Sequence, residues 1–245
     1  IPQVILPTIE ENNLPKLSVV TLVYNRKRFF KLSILNFLSS QYPRDKLEWI
    51  IIDDSKSDQV VKDLVPKQDN IHYYYYDEHL NIGQKRNVGV EKANFDYVAF
   101  MDDDDYYPPE SLTKRMTILL QYNKQCSTCT TIGCFHINKY ISMINVPPHQ
   151  LPFEERISEA TLCFSKSFWE KQKFLNSSKG GEAREFLKNR SSQCVEVSWK
   201  NIIVSLLHSS NTSTRVTVTE EPNGCHFGFS DKLFSFITSL DIESK

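Results

Sequence analysis

Short apolar segments alternate with longer amphipathic segments through the first hundred residues of the chain. Each apolar segment is bounded by polar residues, as is typical of a strand buried on both faces. The predicted strands cover residues 18–23, 47–52, 71–76 and 97–101, and the predicted helices between them cover 29–40, 59–65 and 82–93. In the first of these helices Phe29, Leu32, Leu35 and Leu38 form one apolar stripe. This alternation predicts an α/β fold with a mostly parallel sheet flanked by helices.

The pattern is less regular beyond residue 101. We expect helices at 112–122, 168–174 and 182–189, and strands at 128–137, 141–146, 158–164 and 201–208. Residues 1–16 are predicted to form an extended leader, because prolines punctuate them. A single domain is therefore expected, with a first half at residues 17–125 and a second half at 126–245.

Composition and charge narrow the class of protein. The 245 residues are 40% hydrophobic and 24% charged with a net charge of −1, which is typical of a soluble globular protein and gives no attraction to nucleic acid. No apolar run is long enough to span a bilayer. Because the chain starts with Ile1, we expect an excised piece of a longer protein. The six cysteines form no dense framework and indicate reduced thiols, so a cytoplasmic location is expected, if any can be assigned.

Four consecutive carboxylates, Asp102–Asp105, follow the predicted strand at 97–101. In an open α/β sheet, ligands collect beyond the carboxyl ends of the strands. Adjacent carboxylates repel one another and raise each other's pKa unless a cation neutralises them. Mg²⁺ or Mn²⁺ does so with few protein ligands, filling its other positions with water and phosphate oxygens. The alternative is that an aspartate caps the helix that starts near Pro108, but four in sequence exceed that need.

Two further polar clusters follow predicted strands. Tyr24, Asn25 and Arg26 come after the first strand, and Asp53-Asp54-Ser55 after the second. A helix start at 81–89 adds two glycines and the basic pair Lys85-Arg86, near backbone N–H groups that favour anions. Clusters along one edge of a sheet predict a binding site there, although each alone is explained by polar loops.

Together these pieces resemble the inverting glycosyltransferases of family 2, which have the Rossmann-like GT-A fold. The match covers Ser18–Arg26, Ile51–Ser55, Gly83–Gly89, and Phe100–Asp105 with the following Tyr107-Pro108-Pro109. The resemblance implies a nucleotide-sugar donor and a divalent metal, Mn²⁺ or Mg²⁺. Because a carboxylate can accept the N3–H of uracil, a UDP-sugar is the favoured donor.

The resemblance also implies roles for individual residues. The base and ribose would be held by residues of the first two strand ends: Thr21, Tyr24, Asn25, and Asp53 or Asp54. Arg86 matches a basic residue that contacts the nucleotide. In the family's D-x-D motif, Asp102 would face the ribose and also help bind the metal, and Asp104 would bind the metal. Asp103 or Asp105 could share these functions, because sequence does not fix the register.

The catalytic base should come from the second half. The segment Gly180–Phe186 resembles a family segment in which an aspartate is the usual base, but Ala183 occupies that position here. Glu182 is the preferred replacement and Glu185 the alternative; both could instead be first-turn acids favoured by the helix dipole. A proton acceptor is required because the acceptor hydroxyl must lose its proton.

Late in the chain, His208 resembles a further metal ligand and Arg215 a basic residue that holds the diphosphate, with His226 as a second candidate histidine. We therefore predict a metal-dependent, inverting transferase of hexosyl or N-acetylhexosaminyl groups, with a glycan, protein or lipid-linked acceptor. Two alternatives are a sugar-nucleotide nucleotidyltransferase and a non-catalytic nucleotide or glycan binder. The loop after the first strand lacks the glycines of a nucleotidyltransferase, which counts against the former.

Overall fold

A computed structural model describes residues 9–10, 13–211 and 221–241. Most of the predicted leader therefore lies outside the described residues. The strands are β1 (Leu17–Val23), β2 (Leu47–Asp53), β3 (Ile71–Tyr75), β4 (Tyr97–Phe100), β5 (Cys126–Thr128), β6 (Ile132–His136), β7 (Ile141–Asn145), β8 (Cys163–Ser165), β9 (Cys194–Glu196) and β10 (Val204–Leu207). The α-helices are α1 (Phe30–Ser39), α2 (Ile82–Lys92), α3 (Ser111–Gln121), α4 (Phe153–Arg156), α5 (Lys166–Lys171), α6 (Ala183–Leu187) and α7 (Asp231–Ser239).

The main sheet has seven strands in the order β3-β2-β1-β4-β8-β5-β9. Strands β1 to β4 are mutually parallel, β8 is antiparallel to both of its neighbours, and β9 is parallel to β5. The predicted α/β fold with a mostly parallel sheet is confirmed. A second sheet, β10-β6-β7, carries the end of β10 to the edge of the main sheet.

Both faces of the main sheet are covered along β1 and β2, which explains why these strands are mostly apolar. All seven residues of β1 are buried, and alternate side chains enter different hydrophobic clusters. Leu17, Val19 and Val23 pack on one face with Trp49, whereas Val20 and Leu22 pack on the other. Because successive side chains of a strand point to opposite faces, a strand with two covered faces is mostly apolar, and its buried polar residues must be hydrogen-bonded. In β1, Ser18 donates to Glu48 and Thr21 accepts from Trp49.

Some elements differ from the sequence-based predictions. The helix predicted at 59–65 is wrong: only Lys62–Leu64 form a single 3₁₀ turn. The backbone N–H of Val61 instead donates to Asp53 at 3.0 Å, which anchors this segment to β2. The single strand predicted at 128–137 is two strands in different sheets. It breaks where the carbonyl of Cys129 accepts from the N–H of Ser158 at 2.8 Å.

Helix α2 lies close to the segment that precedes α6. A Cβ atom added to Gly83 would overlap the backbone carbonyl oxygen of Leu175, whereas Gly180 has no atom within 4 Å of its added Cβ. A backbone oxygen cannot move aside as a flexible side chain can. The absence of a side chain at Gly83 therefore sets how closely α2 approaches this loop.

We predict that Gly83→Ala lowers the free energy of unfolding by about 1–3 kcal/mol, because overpacking at this contact forces the backbone to shift. Urea denaturation followed by circular dichroism measures the change. Gly180→Ala is the matched control and should change stability by less than about 0.5 kcal/mol. Equal stability of the two variants would contradict the close contact.

Candidate active site

The carboxyl ends of β1, β2 and β4 lie side by side, which brings the polar clusters together. Val23 pairs with Asp53 across β1 and β2, and Val20 pairs with Phe100 across β1 and β4. The loop after β1, the Asp53-Asp54 pair and the acidic run therefore share one edge of the sheet. This is the edge at which ligands of α/β proteins bind.

A single guanidinium bridges two carboxylates of the acidic run. Arg26 Nη1 lies 2.9 Å from Asp103 Oδ1 and 2.8 Å from Asp104 Oδ2. Asp103 Oδ2 is buried without a hydrogen-bond partner among the described residues. Burial raises the pKa of Asp103 to about 7; Arg26 opposes this shift and the neighbouring Asp104 adds to it. The edge therefore carries more negative charge than Arg26 neutralises.

Asp105 has a structural role, because it is hydrogen-bonded to two neighbouring elements. Its Oδ1 accepts the N–H of Leu206 at 3.0 Å, and its carbonyl accepts from Asn36 Nδ2 at 2.8 Å. These bonds connect the acidic run with β10 and α1.

His208, directly after β10, reaches the acidic run as expected. Its Nε2 lies 3.1 Å from Asp104 Oδ2, and the Phe29 ring packs on its imidazole with centroids 4.1 Å apart. The N–H of Ser210 donates to Nδ1 at 3.2 Å, and Asn211 Nδ2 also lies within hydrogen-bond distance of Nε2, at 3.0 Å. Burial opposes ionisation of Asp104, but the hydrogen bond to His208 and the Arg26 charge lower its pKa below the usual value.

Residues expected to hold the base and ribose divide into two groups. Thr21 is 1% exposed and its hydroxyl accepts from Trp49 Nε1 at 2.8 Å, so it lies in the core. Tyr24 and Asn25 are half-buried at the edge. The Tyr24 ring packs on His79 at 4.1 Å between centroids, and Asn25 Oδ1 accepts the N–H of Lys56 at 2.9 Å.

Asp53 and Asp54 are buried acceptors within the protein. Asp53 accepts from the N–H groups of Ser55 at 2.9 Å and Val61 at 3.0 Å, and from Tyr73 Oη at 2.8 Å. Asp54 accepts the N–H of Leu80 at 2.8 Å and is ion-paired with Lys85. Burial lowers the pKa of the Lys85 ammonium, and the Asp54 carboxylate opposes that shift.

Arg86, beside Lys85 on α2, joins the acidic run to the start of α6. Its Nε lies 2.5 Å from Glu182 Oε1, and its Nη1 lies 3.5 Å from Asp102 Oδ1. The guanidinium also lies over the Phe100 ring, 4.4 Å from the centroid. Glu182 is 4% exposed, so the pair is buried. The preferred candidate base therefore has its carboxylate in an ion pair.

A further acid near this pair was not found from sequence. Burial raises the pKa of Glu159 to about 7, and Glu182 and Asp102 add to this shift while Arg86 opposes it. Glu159 lies in a segment predicted as a strand, and the structure has a 3₁₀ turn there, at Glu159–Thr161. One signal could have found it: the stretch 157–164 contains a single charged residue, and its other residues are apolar, Ser or Thr.

The remaining predicted residues lie elsewhere. Glu185 pairs with Lys188 at 3.4 Å on the surface of α6, with both side chains about half exposed. The backbone N–H of His226 donates to the Ser142 hydroxyl in β7. Arg215 lies outside the described residues.

A cleft of about 660 Å³ opens beside Arg26, with a volume in the usual range for small-molecule sites. It is lined by residues of the β1–α1 region, the 59–64 segment and the loop after β10: Asn25, Lys27, Arg28, Lys31, Gln59, Leu64, Ser209 and Ser210. Three of these side chains are basic, which favours an anionic ligand.

Comparison with known proteins assigns the chain to a family. The sequence profile of glycosyl transferase family 2 matches residues 18–174, more than half of the chain. The chain belongs to this family. A Haemophilus influenzae glycosyltransferase is 30% identical over 112 residues, which are 44% of each chain. The Staphylococcus aureus poly(ribitol-phosphate) β-N-acetylglucosaminyltransferase TarS is 29% identical over 155 residues, covering 62% of this chain and 25% of that relative. The matches thus span less than half of these relatives.

Solved structures confirm the GT-A fold. TarS residues 1–349 in complex with UDP-GlcNAc superpose with a TM-score of 0.67 at 17% identity, covering 82% of this chain and 62% of that one. A Pyrobaculum calidifontis mannosyltransferase in complex with GDP-Man and Mn²⁺ gives a TM-score of 0.58 at 15% identity, covering 84% and 60%. Among the described residues of the present chain, no helix is long and apolar enough to cross a membrane.

We predict that Lys85→Met lowers the free energy of unfolding by about 3–5 kcal/mol, because Asp54 loses its buried counter-ion. Lys173→Met is the matched control. Lys173 pairs with Glu91 at 3.3 Å, but both side chains are at least half exposed, and such pairs contribute about 0–1 kcal/mol. Urea denaturation measures both. A loss below about 1 kcal/mol for Lys85→Met would show that Asp54 does not depend on it.

Proposed function

We propose that this chain transfers a hexosyl or N-acetylhexosaminyl group from a nucleoside diphosphate sugar, preferentially a UDP-sugar, to an acceptor hydroxyl with inversion. One observation carries the proposal: Asp102, Asp103 and Asp104 lie at the ligand-binding edge of the sheet, beside a basic cleft. Family membership supports it, as do the donors bound in related folds, UDP-GlcNAc in TarS and GDP-Man in the mannosyltransferase.

The residues present fit a divalent cation that takes most of its ligands from substrate and water. Among the described residues no three acidic, histidine or cysteine side chains form a ready metal site. Asp104 Oδ2 and His208 Nε2, 3.1 Å apart, are nevertheless close enough to share one ion, and Asp103 keeps an unpaired buried oxygen nearby. Asp102 and Asp104 would hold the ion, and His208 would join them through Nε2.

The nucleotide would occupy the edge next to β1. Tyr24 presents an aromatic face, and Asn25 lines the cleft. Asp53 and Asp54 lie behind them, and their contact with the nucleotide stays a prediction, as does that of Thr21. Arg86 and Arg215 are proposed for the ribose and diphosphate side. In this scheme residues 17–125 form the donor half and residues 126–245 form the acceptor half.

Sugar transfer requires stabilisation of the leaving diphosphate and deprotonation of the acceptor hydroxyl. A bound divalent cation supplies charge stabilisation to the diphosphate as it leaves. The protein must hold the acceptor on the opposite face of the sugar and remove the proton from its hydroxyl. A carboxylate of the acceptor half is needed for that proton, and the assignment to Glu182 or Glu185 stays a prediction.

Donor turnover separates the three functional hypotheses. We predict that the protein with Mn²⁺ releases UDP from UDP-glucose or UDP-GlcNAc, or GDP from GDP-mannose, and that EDTA abolishes the release. A nucleotidyltransferase would instead release pyrophosphate from a nucleoside triphosphate and a sugar phosphate. A binding protein would bind UDP tightly and release nothing from any of these donors.

A metal ion bound at Asp104 should strengthen the binding of the nucleotide. We predict that Mn²⁺ strengthens UDP binding in isothermal titration calorimetry, and that Asp104→Asn weakens binding in Mn²⁺ by at least about tenfold, the lower limit of what loss of an outer partner costs a metal site. Asp69→Asn, an exposed loop aspartate, is the control and should bind as wild type does. Equal UDP affinity with and without Mn²⁺ would contradict a metal-bridged diphosphate.

A further inference from the structure

His208 belongs to a tight turn at residues 208–211, which fixes the orientation of its ring. The backbone N–H of His208 donates to Asn211 Oδ1 at 2.6 Å, and the N–H of Asn211 donates to the carbonyl of His208 at 3.3 Å. The N–H of Ser210 donates to the imidazole Nδ1 at 3.2 Å. Because the ring is bonded to its own turn, the position of Nε2 relative to Asp104 depends on where the whole turn is held.

A buried carboxylate just after the end of α7 anchors this turn. Asp241 Oδ2 accepts the backbone N–H of Ser209 at 3.1 Å, and Asp241 Oδ1 accepts the Ser209 hydroxyl at 2.8 Å. The side chain of Asp241 has no exposed surface. Asn138, which lies between β6 and β7, donates to Oδ2 at 2.5 Å. Asp241 therefore connects the 208–211 turn with the second sheet.

Arg28, in the loop after β1, supplies the counter-ion of Asp241. Its Nη2 lies 2.5 Å from Asp241 Oδ1. The same nitrogen donates to the hydroxyls of Ser209 at 3.0 Å and Ser210 at 2.9 Å. A buried carboxylate needs such a partner, because desolvation disfavours its charged form. The turn that carries His208 is thus attached to both halves of the chain through one ion pair.

The acidic run has supports of its own. Tyr107 Oη accepts the N–H of Asp102 at 2.8 Å and donates to the carbonyl of Ala160 at 3.0 Å. These bonds hold the run against the turn that precedes β8, whereas the turn of His208 is held by Asp241. The acidic run and the histidine therefore reach the candidate metal site from segments that are anchored in different places.

We propose that Asp241 is a positioning residue for the divalent cation, because it places His208 opposite the acidic run. This proposal rests on the function proposed above. Asp241 contacts neither the ion nor the donor in this scheme, and it acts through the N–H of Ser209. Outer partners of a metal-bound histidine orient its ring and raise the affinity of the site for the metal. Here the outer partner fixes the turn that carries the histidine.

The test measures the dissociation constant of UDP without and with saturating Mn²⁺ by isothermal titration calorimetry; the ratio of the two constants is the metal coupling. We expect Asp241→Asn to lower the metal coupling at least about threefold, less than the loss of a direct outer partner, while the constant without Mn²⁺ changes less than about twofold.

The reason is that an asparagine amide presents one acceptor oxygen, so it cannot keep the bonds from Arg28, Asn138 and both donors of Ser209. Asp231→Asn, exposed in the first turn of α7, is the control and should match wild type.

A double-mutant cycle separates positioning of His208 from a general structural role. His208→Ala should lower the metal coupling but leave part of it, because Asp102 and Asp104 remain. In the His208→Ala background, Asp241→Asn should cause no further loss, because its effect passes through the histidine, whereas independent effects would multiply. Ser209→Ala removes an exposed hydroxyl that bonds Asp241 but no buried charge, and it should lower the coupling in the same direction.

Three results would overturn the assignment. The first is a metal coupling equal to that of wild type in both Asp241→Asn and Ser209→Ala. The second is an equal effect of Asp241→Asn with and without His208, or a parallel loss of UDP affinity without Mn²⁺, which would indicate a structural role only. The third is equal UDP affinity of wild type with and without Mn²⁺, which would overturn the metal-bridged diphosphate of the proposed function and this assignment with it.

Discussion

The arrangement of the sheet edge that carries the acidic run depends on two cations of α2, which neutralise buried carboxylates. Lys85 pairs with Asp54 after β2, and the next residue, Arg86, pairs with Glu182 and Asp102. Isolated charges cannot be buried without partners, because desolvation costs several kcal/mol per ion. One helix therefore holds together two strand ends and the start of α6. The close approach of α2 at its glycines makes this possible, because it brings both cations to the edge of the sheet.

Much of the fold could be predicted from sequence, because strands that are buried on two faces have a mostly apolar sequence. Strands β1, β2 and β4 are mostly apolar and buried. The predicted stripe of α1 is only partly correct, because Leu32 is buried whereas Leu35 and Leu38 are exposed, and Phe30 and Phe37 are buried instead. The remainder depends on long-range contacts. Strands β8 and β9 have only three residues each, which is too short for an alternating pattern to identify them as strands. The helix predicted at 59–65 does not form. The N–H of Val61 donates to the Asp53 carboxylate rather than to a helical carbonyl, and the local sequence pattern does not reveal this bond.

The candidate site could be predicted in outline, but not which cation pairs with which acid. The acidic run, His208 and Arg86 do lie together, because strand ends in a parallel sheet share an edge. Which cation neutralises which acid depends on the tertiary arrangement, so neither the bridging position of Arg26 nor the ion pair of Glu182 could be read from the chain. Glu159 was missed for the same reason. Its chemical character comes from burial beside two other acids, and its own sequence neighbours are ordinary.

The phenol of Tyr107 has a mechanical consequence. By joining the amide of Asp102 to the carbonyl of Ala160, it makes the loop after β4 and the 159–161 turn a single stiff unit. The distance between the first aspartate of the acidic run and the 159–161 turn is then set inside the scaffold. Changes confined to the surface loops can therefore leave the relative placement of these two buried segments unaltered.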